Sequence, residues 1–153
     1  MSDCCETKNT SPDILVIGGG SGGFSAAITA AEAGAQIVVV GEGTIGGTCV
    51  NVGCVPSKNL IRATESLHKP TTADRFAGVE ASSKLVDWRA LVEQKQALVD
   101  ELRKAKYEDL LPEYPSISYV VGHAEFTGNG TEIAVGDTIY RPKKVIIATG
   151  ASS

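Results

Sequence analysis

The chain has 153 residues, 42% hydrophobic and 21% charged, with 17 glycines; that is enough for one globular core and a short tail, and too little for a second full domain. Its formal charge of -4 argues against a surface that neutralises phosphate backbones, so no nucleic-acid partner is expected. The longest apolar runs, "ILVI" and "IVVV", are too short to cross a bilayer, and the polar start lacks the apolar stretch of a secretory leader; a cytoplasmic protein with no membrane partner is expected.

Residues 1–12 carry no periodicity and end in Ser11-Pro12, which predicts a disordered tail followed by one domain over 13–153. From Asp13 to Gly41 the order is a short apolar strand, a glycine turn, an alanine-rich helix closed by Gly34 and a second apolar strand, a βαβ unit. Continuous apolar strands suit a parallel sheet covered on both faces. A glycine loop and a cysteine stretch follow, then "NLIRATESLH", helical in composition, and a polar loop over 69–83. Between Asp87 and Leu111 the apolar residues Trp88, Leu91, Val92, Leu98, Val99, Leu102 and Ala105 recur at helical spacing, and Pro112 stops the run. The remainder reads as a strand in "SISYVVGHAEF", a hairpin turning at Gly136-Asp137, and a final strand in "KKVIIATG". The expected fold class is α/β, a doubly wound, Rossmann-like parallel sheet with a small antiparallel β insert.

Gly18, Gly20 and Gly23 have the spacing G-x-G-x-x-G between a strand and a helix, the context in which that spacing binds a dinucleotide. Gly18 permits the tight turn, Gly20 lets a pyrophosphate approach the backbone, and Gly23 lets helix and strand pack closely. The phosphates would sit at the helix N-terminus, where unbonded N–H groups converge. A second strand of this kind often ends in an acid that holds a ribose hydroxyl. Glu42 is the candidate, and Gly41 stands where an acid would fit better; a solvated loop glutamate is the other reading.

Cys49 and Cys54 are five residues apart. Structural zinc sites use shorter gaps and need two more ligands, for which the only histidines are His68 and His123. A disulfide needs Cα atoms roughly 4.4–6.8 Å apart, against about 7.5 Å for five residues of straight helix. The backbone must therefore bend, and Gly53 and Pro56 allow it. So small a ring adds little loop-closure stability, which favours reversible exchange over a structural bridge. Cys54 falls near a helix start, where a thiolate is favoured, and Lys58 follows one turn later. Lys58 is either a stabiliser of a thiolate or of a reduced cofactor, or an exposed helix lysine. Cys4-Cys5 is either a relay for a soft metal or a tail pair with no site.

"GGGSGG" at Gly18–Gly23, "GGTCVNVGCVPSK" at Gly46–Lys58 and "ATG" at Ala148–Gly150 together resemble the FAD-binding domain of the pyridine nucleotide-disulfide oxidoreductases. Within that family, "TIGGTCVNVGCVPSK" and "VDELRKAKYEDLL" look most like the mercury(II)-reducing members. The resemblance implies FAD as cofactor and NADPH (NADP) as electron source in the complete enzyme. It implies that Cys54 is the thiol facing the flavin and Cys49 the one that meets substrate, that both bind the metal Hg(II), and that Lys58 lies near the flavin. It further implies that Gly18, Gly20, Gly22, Gly23, Gly46, Gly47 and Thr48 lie along the phosphates and ribityl chain, Gly122 and Ala124 beside the adenine, and Ala148, Thr149 and Gly150 near the pyrophosphate. Soft thiolates suit a soft metal.

Members of that family continue beyond "ATGASS" into an NADPH domain, more FAD domain and a dimerisation domain. The chain is accordingly expected to be an N-terminal portion, without the family's homodimer interface and unable alone to turn over NADPH. A dihydrolipoamide dehydrogenase-like member acting on small thiols or disulfides is the alternative enzyme. A module holding a nucleotide or a thiophilic metal without catalysis is the alternative from another class.

Overall fold

The structure, a computed structural model, describes residues 10–128, 130 and 132–151. They form two compact units, one of residues 10–47 and 107–151, the other of Thr48–Lys106. Cys4 and Cys5 lie outside the described residues, as does the predicted tail up to residue 9.

The first unit begins with β1 (Ile14–Ile17), α1 (Ser21–Glu32) and β2 (Ile37–Gly41) and ends with β3 (Ile117–Val121), β4 (Ala124–Phe126), β5 (Ile133–Val135), β6 (Thr138–Tyr140) and β7 (Lys144–Ile147). Four strands make a parallel sheet in the order β3-β2-β1-β7, and β4-β5-β6 form a separate antiparallel sheet. The predicted α/β class, with its parallel sheet and antiparallel insert, is the observed one. Its central strands are apolar on both sides because both faces are covered. Leu15, Val38 and Val40 pack with Ile133, Val135 and Tyr140 of the antiparallel sheet, while Val16, Ile37, Val39 and Ile117 pack with Ala27 of α1. Each such side chain, fully buried, contributes about 1.5–3 kcal/mol of transfer free energy.

The turns predicted at Gly34 and at Gly136-Asp137 are the observed ones. α1 ends at Gly34, whose φ of +86 accompanies hydrogen bonds from Gly34 N–H to Ala31 O and from Ala35 N–H to Ala30 O, the paired closure of a Schellman end. The β5–β6 hairpin turns on Gly136-Asp137 with Gly136 at φ +56. Two differences have physical causes. "SISYVVGHAEF" is two strands rather than one, because the chain leaves the parallel sheet at Gly122-His123 and pairs β4 with β5. Order also begins before Asp13: Arg141 N–H donates to Thr10 O, Lys143 N–H donates to Pro12 O, and Pro12 is buried.

The second unit holds all but the first residue of α2 (Gly47–Asn51), then α3 (Cys54–Thr71), a 3-10 turn at Ala73–Arg75 and α4 (Trp88–Arg103). α3 runs three residues past its predicted end, through Lys69-Pro70-Thr71. Pro70 can end the ladder there without breaking it, because the hydroxyls of Thr71 and Thr72 donate to the carbonyls of His68 and Lys69. Asp87 caps α4 by accepting from Ala90 N–H. Helix α4 packs against α3. The regular helix stops at Arg103, short of Leu111; Lys104–Glu108 form a π-helical turn and Leu111–Glu113 a 3-10 turn. Among the described residues no helix is long and apolar enough to cross a membrane.

Candidate functional site

The β1–α1 turn is built by close backbone approach. Gly18 has a φ of +125, and a Cβ there would collide with the carbonyl oxygen of Ala148 and lie 3.0 Å from Thr149 N. A Cβ on Gly23 would collide with the carbonyl oxygen of Gly18, so the helix meets the strand only because no side chain intervenes. Around this turn the tertiary structure gathers the glycine loop, the Ala148-Thr149-Gly150 segment, and Gly46 with Gly47. Gly46 N–H donates to Gly19 O at 2.8 Å, and Gly20 bridges Gly46 in parallel register.

The start of α1 suits an anion. Gly20 is its N-cap, and among the described residues no side-chain hydrogen bond caps the helix there, which leaves first-turn amides for a ligand. Gly22 has nothing within 4 Å of where a Cβ would stand, which leaves room beside those amides. A cradle closed on one side by obligatory glycines and open at Gly22 fits the pyrophosphate of a dinucleotide such as FAD.

The spacing G-x-G-x-x-G also recurs at Gly41, Gly43 and Gly46 after β2, but this stretch serves other ends. A Cβ on Gly41 would collide with the Tyr119 hydroxyl, and one on Gly19 would stand 2.5 Å from the same oxygen. Tyr119 therefore wedges between the end of β2 and the glycine turn, and burial pushes its phenol pKa up. This is why a glycine, not an acid, occupies the last position of β2. Phe24 stacks at a tilt on Tyr119, with ring centroids 5.9 Å apart, and edge-on to Tyr107 at 5.0 Å; the Tyr107 hydroxyl hydrogen-bonds Ser21 Oγ at 3.0 Å. Neither tyrosine was singled out from sequence. The signal that was available is an aromatic in a strand facing a position that only glycine can fill.

Glu42 lies one residue past β2 and hydrogen-bonds His123 Nδ1 through Oε2 at 2.8 Å. Gly122 N–H donates to Gly41 O at 3.0 Å, and a Cβ on Gly122 would stand 2.7 Å from Val135 Cγ1. Glu42, Gly122 and Ala124 thus share one end of the sheet, the end to which the strands' carboxyl termini point, where doubly wound folds bind ligands.

In the second unit, Cys49 lies in α2 and Cys54 is the first residue of α3, with the chain bent between them. Val52 and Gly53 N–H both donate to Thr48 O, at 3.0 and 2.7 Å. A Cβ on Gly53 would stand 3.0 Å from that oxygen and 3.5 Å from Cys49 Cα, so the tight return needs a glycine. Gly53 has a φ of -106, and close approach rather than a left-handed backbone is the reason. Pro56 falls in the first turn of α3, where its missing N–H costs no helix bond. Both cysteines are free thiols and exposed. Hydrogen bonding to the Cys54 thiol, followed by desolvation and the neighbouring sulfur's charge, raises the Cys49 pKa, and the Cys54 backbone amide and then the charge of Lys58 pull it back. Among the described residues, Asn59 Oδ1, next in sequence to Lys58, is buried without a hydrogen-bond partner. Among the described residues no group of three or more His, Cys, Asp or Glu side chains is placed to hold a metal ion.

A family model described as pyridine nucleotide-disulphide oxidoreductase matches residues 12–153. The chain is 45% identical over 140 residues to a mercuric reductase of Lysinibacillus sphaericus, covering 92% of this chain and 25% of the relative, and 43% identical over 148 residues to one of Streptomyces lividans, covering 94% and 31%. The chain therefore spans between a quarter and a third of the length of these relatives. Among solved structures, the Cu(II) complex of the HOCl-induced flavoprotein disulfide reductase RclA from Escherichia coli is similar, with a TM-score of 0.75 at 27% identity, over 94% of this chain and 29% of that one. By the extent of the family match, which leaves out only the first eleven residues, this chain belongs to the pyridine nucleotide-disulphide oxidoreductase family.

Proposed function

We propose that the chain is the FAD-binding and dithiol-bearing portion of a flavoprotein oxidoreductase that passes electrons from NADPH to a thiophilic substrate, with Hg(II) as that substrate. The observation that carries this reading is the Cys49–Cys54 pair: two exposed free thiols on either side of a bend that Gly53 permits, close enough for Cys54 to raise the Cys49 pKa. Names of relatives support mercury as the substrate.

The residues have separable tasks in this reading. Gly18, Gly20, Gly22, Gly23, Gly46 and Gly47 admit the cofactor's phosphates to the backbone, with Ala148, Thr149 and Gly150 alongside. Glu42 takes a ribose hydroxyl, Gly122 and Ala124 flank the adenine, and Thr48 follows the ribityl chain. When bound, the flavin supplies two-electron chemistry between a nicotinamide and a disulfide. Cys49 and Cys54 each give up a proton to bind Hg(II) as thiolates, so capture of one ion releases two protons. Alternatively the same pair closes to a disulfide, losing two protons and two electrons. Lys58, whose charge favours the Cys49 thiolate, stabilises that thiolate before it binds the ion or is oxidised. Among the described residues the sheet-bearing unit carries one glycine cradle, which this reading gives to FAD.

The test is a titration of the purified chain with FAD, followed by flavin fluorescence and by absorbance under anaerobic reduction. Binding with quenched fluorescence, and a long-wavelength band that Cys54→Ser removes, is the expected result. Absence of FAD binding would overturn the cofactor assignment, and an unchanged spectrum in Cys54→Ser would overturn the thiol assignment. A second reading, a small disulfide in place of Hg(II), is favoured by the likeness to a flavoprotein disulfide reductase. Hg(II) binding to the reduced chain that Cys49→Ser does not weaken would favour it over mercury.

A further inference from the structure

In the first unit, His123 stands between two carboxylates. Its Nδ1 bonds Glu42 Oε2 at 2.8 Å, and its Nε2 lies 3.9 Å from Glu125 Oε1. Three features fix the backbone at His123. Gly122 N–H is anchored on Gly41 O, the absent side chain of Gly122 lets Val135 press against the backbone, and His123 stands where the chain passes from β3 to β4. Glu42 is tethered on the adjoining strand, because Gly41 pairs with Val121. The two side chains therefore meet because two strand ends are in register, although 81 residues separate them in sequence.

From this, and resting on the assignment of Glu42 to a ribose hydroxyl proposed above, the geometry points to His123 as the positioning residue of Glu42 and as a proton-dependent aid to binding the anionic dinucleotide. The contact uses Oε2, which leaves Oε1 of the carboxylate to accept from a ribose hydroxyl. A bare glutamate beside an incoming pyrophosphate adds a like charge; an imidazolium held on that glutamate offsets it. A neutral ring with its proton on Nδ1 still orients Glu42 but no longer offsets its charge.

Among the described residues, the charged groups that act on His123 are Glu42, at the end of β2, and Glu125, on β4. The Glu42 hydrogen bond and then its charge lift the imidazole above its ordinary value, with Glu125 adding to the same direction. The imidazolium is therefore retained to a higher pH than in an isolated histidine, and is lost as pH rises through the lifted value. His123 is 63% and Glu42 72% exposed, so the effect on affinity belongs to the range of surface pairs, about two- to fivefold.

Two measurements on the 153-residue chain test this. In the absence of ligand, an NMR titration of the His123 ring is expected to lie above about 6.5 and to fall toward it in Glu42→Gln. FAD affinity, measured by calorimetry between about pH 5.5 and 8.5 to bracket the imidazole, is expected to weaken two- to fivefold with rising pH. That pH dependence should vanish in His123→Gln, which still donates one hydrogen bond to Glu42 and keeps the affinity of the neutral form. His123→Ala should bind more weakly than His123→Gln at every pH. Far-ultraviolet circular dichroism checks that the variants stay folded, as expected for exposed side chains, and Glu42→Gln gives an independent displacement of the pH profile to lower pH should either histidine variant fail to fold. A pH-independent affinity, or an unchanged pH profile in His123→Gln or in Glu42→Gln, overturns the role of His123 while leaving FAD binding intact. No FAD binding at any pH overturns both this role and the cofactor reading.

Discussion

The glycine cradle of the first unit and the cysteine bend of the second carry their chemistry in opposite ways. In the cradle the reactive elements are backbone amides, and the side chains that matter are the ones missing: at Gly18 and Gly23 an added methyl meets a carbonyl oxygen. At the bend the reactive elements are side chains, exposed at Cys49 and Cys54, while between them Gly53 is held by close backbone approach and Val50 is buried. Folding and binding are therefore nearly inseparable at Gly18 and Gly23. At the cysteines they are nearly independent.

The sharpest way to break that contrast is to add one methyl group at two neighbouring glycines. Gly23→Ala should cost about 3 kcal/mol or more, since the collision is with backbone that cannot rotate away, read as a fall in the urea or thermal midpoint. Gly22→Ala, in open space on the same helix, should leave stability unchanged or raise it by up to about 1 kcal/mol, while weakening FAD binding. Equal destabilisation by both would show that the cradle is not held by the approach of Gly23 to Gly18.

At the cysteines the expected pattern is reversed. In a chain with Cys4 and Cys5 replaced by serine, Cys49→Ser should hold stability within about 0.5 kcal/mol, as for exposed positions generally. Its Hg(II) affinity should fall by about a hundredfold or more, because the second thiolate binds intramolecularly. Competition with a small dithiol chelator would read that loss, and a loss of stability of similar size would dissolve the contrast. A smaller effect is expected from Tyr107→Phe, which removes the bond to Ser21 while keeping the ring packed on Phe24; about 1 kcal/mol in chemical denaturation is expected.

The smallest effect lies at the opposite end of the sheet. Asp13 accepts from Lys143 Nζ at 2.7 Å and from Gln36 N–H at 2.8 Å, and these, the lysine bond first, hold its carboxyl below the usual range. Its contribution to stability is present above the unfolded carboxylate's value of about 3.9 and is lost as pH falls through the lower folded value. Asp13→Asn should therefore be slightly less stable than the parent near neutrality and equal to it in strong acid. A difference that persists in acid would place the effect in the lost backbone cap rather than in charge.

Much of this molecule was legible in its sequence. The apolar runs at Ile14–Ile17 and Ile37–Gly41, the Gly34 helix end, the Gly136-Asp137 turn and the five-residue cysteine spacing are local signals, each set by backbone conformation or by periodicity over a few residues. The sequence likewise named Gly18, Gly23, Cys49 and Cys54, because glycine turns and thiol pairs are recognisable without knowing their neighbours. What it left open was every pairing across the chain. Tyr119 against Gly19 and Gly41, Tyr107 on Ser21, His123 on Glu42, and the passage from β3 to β4 at Gly122 join residues that are distant in sequence. Local patterns carry no information about such meetings. They depend on strand order and register, which place Gly41 beside Val121 and are decided only when the sheet buries both of its faces.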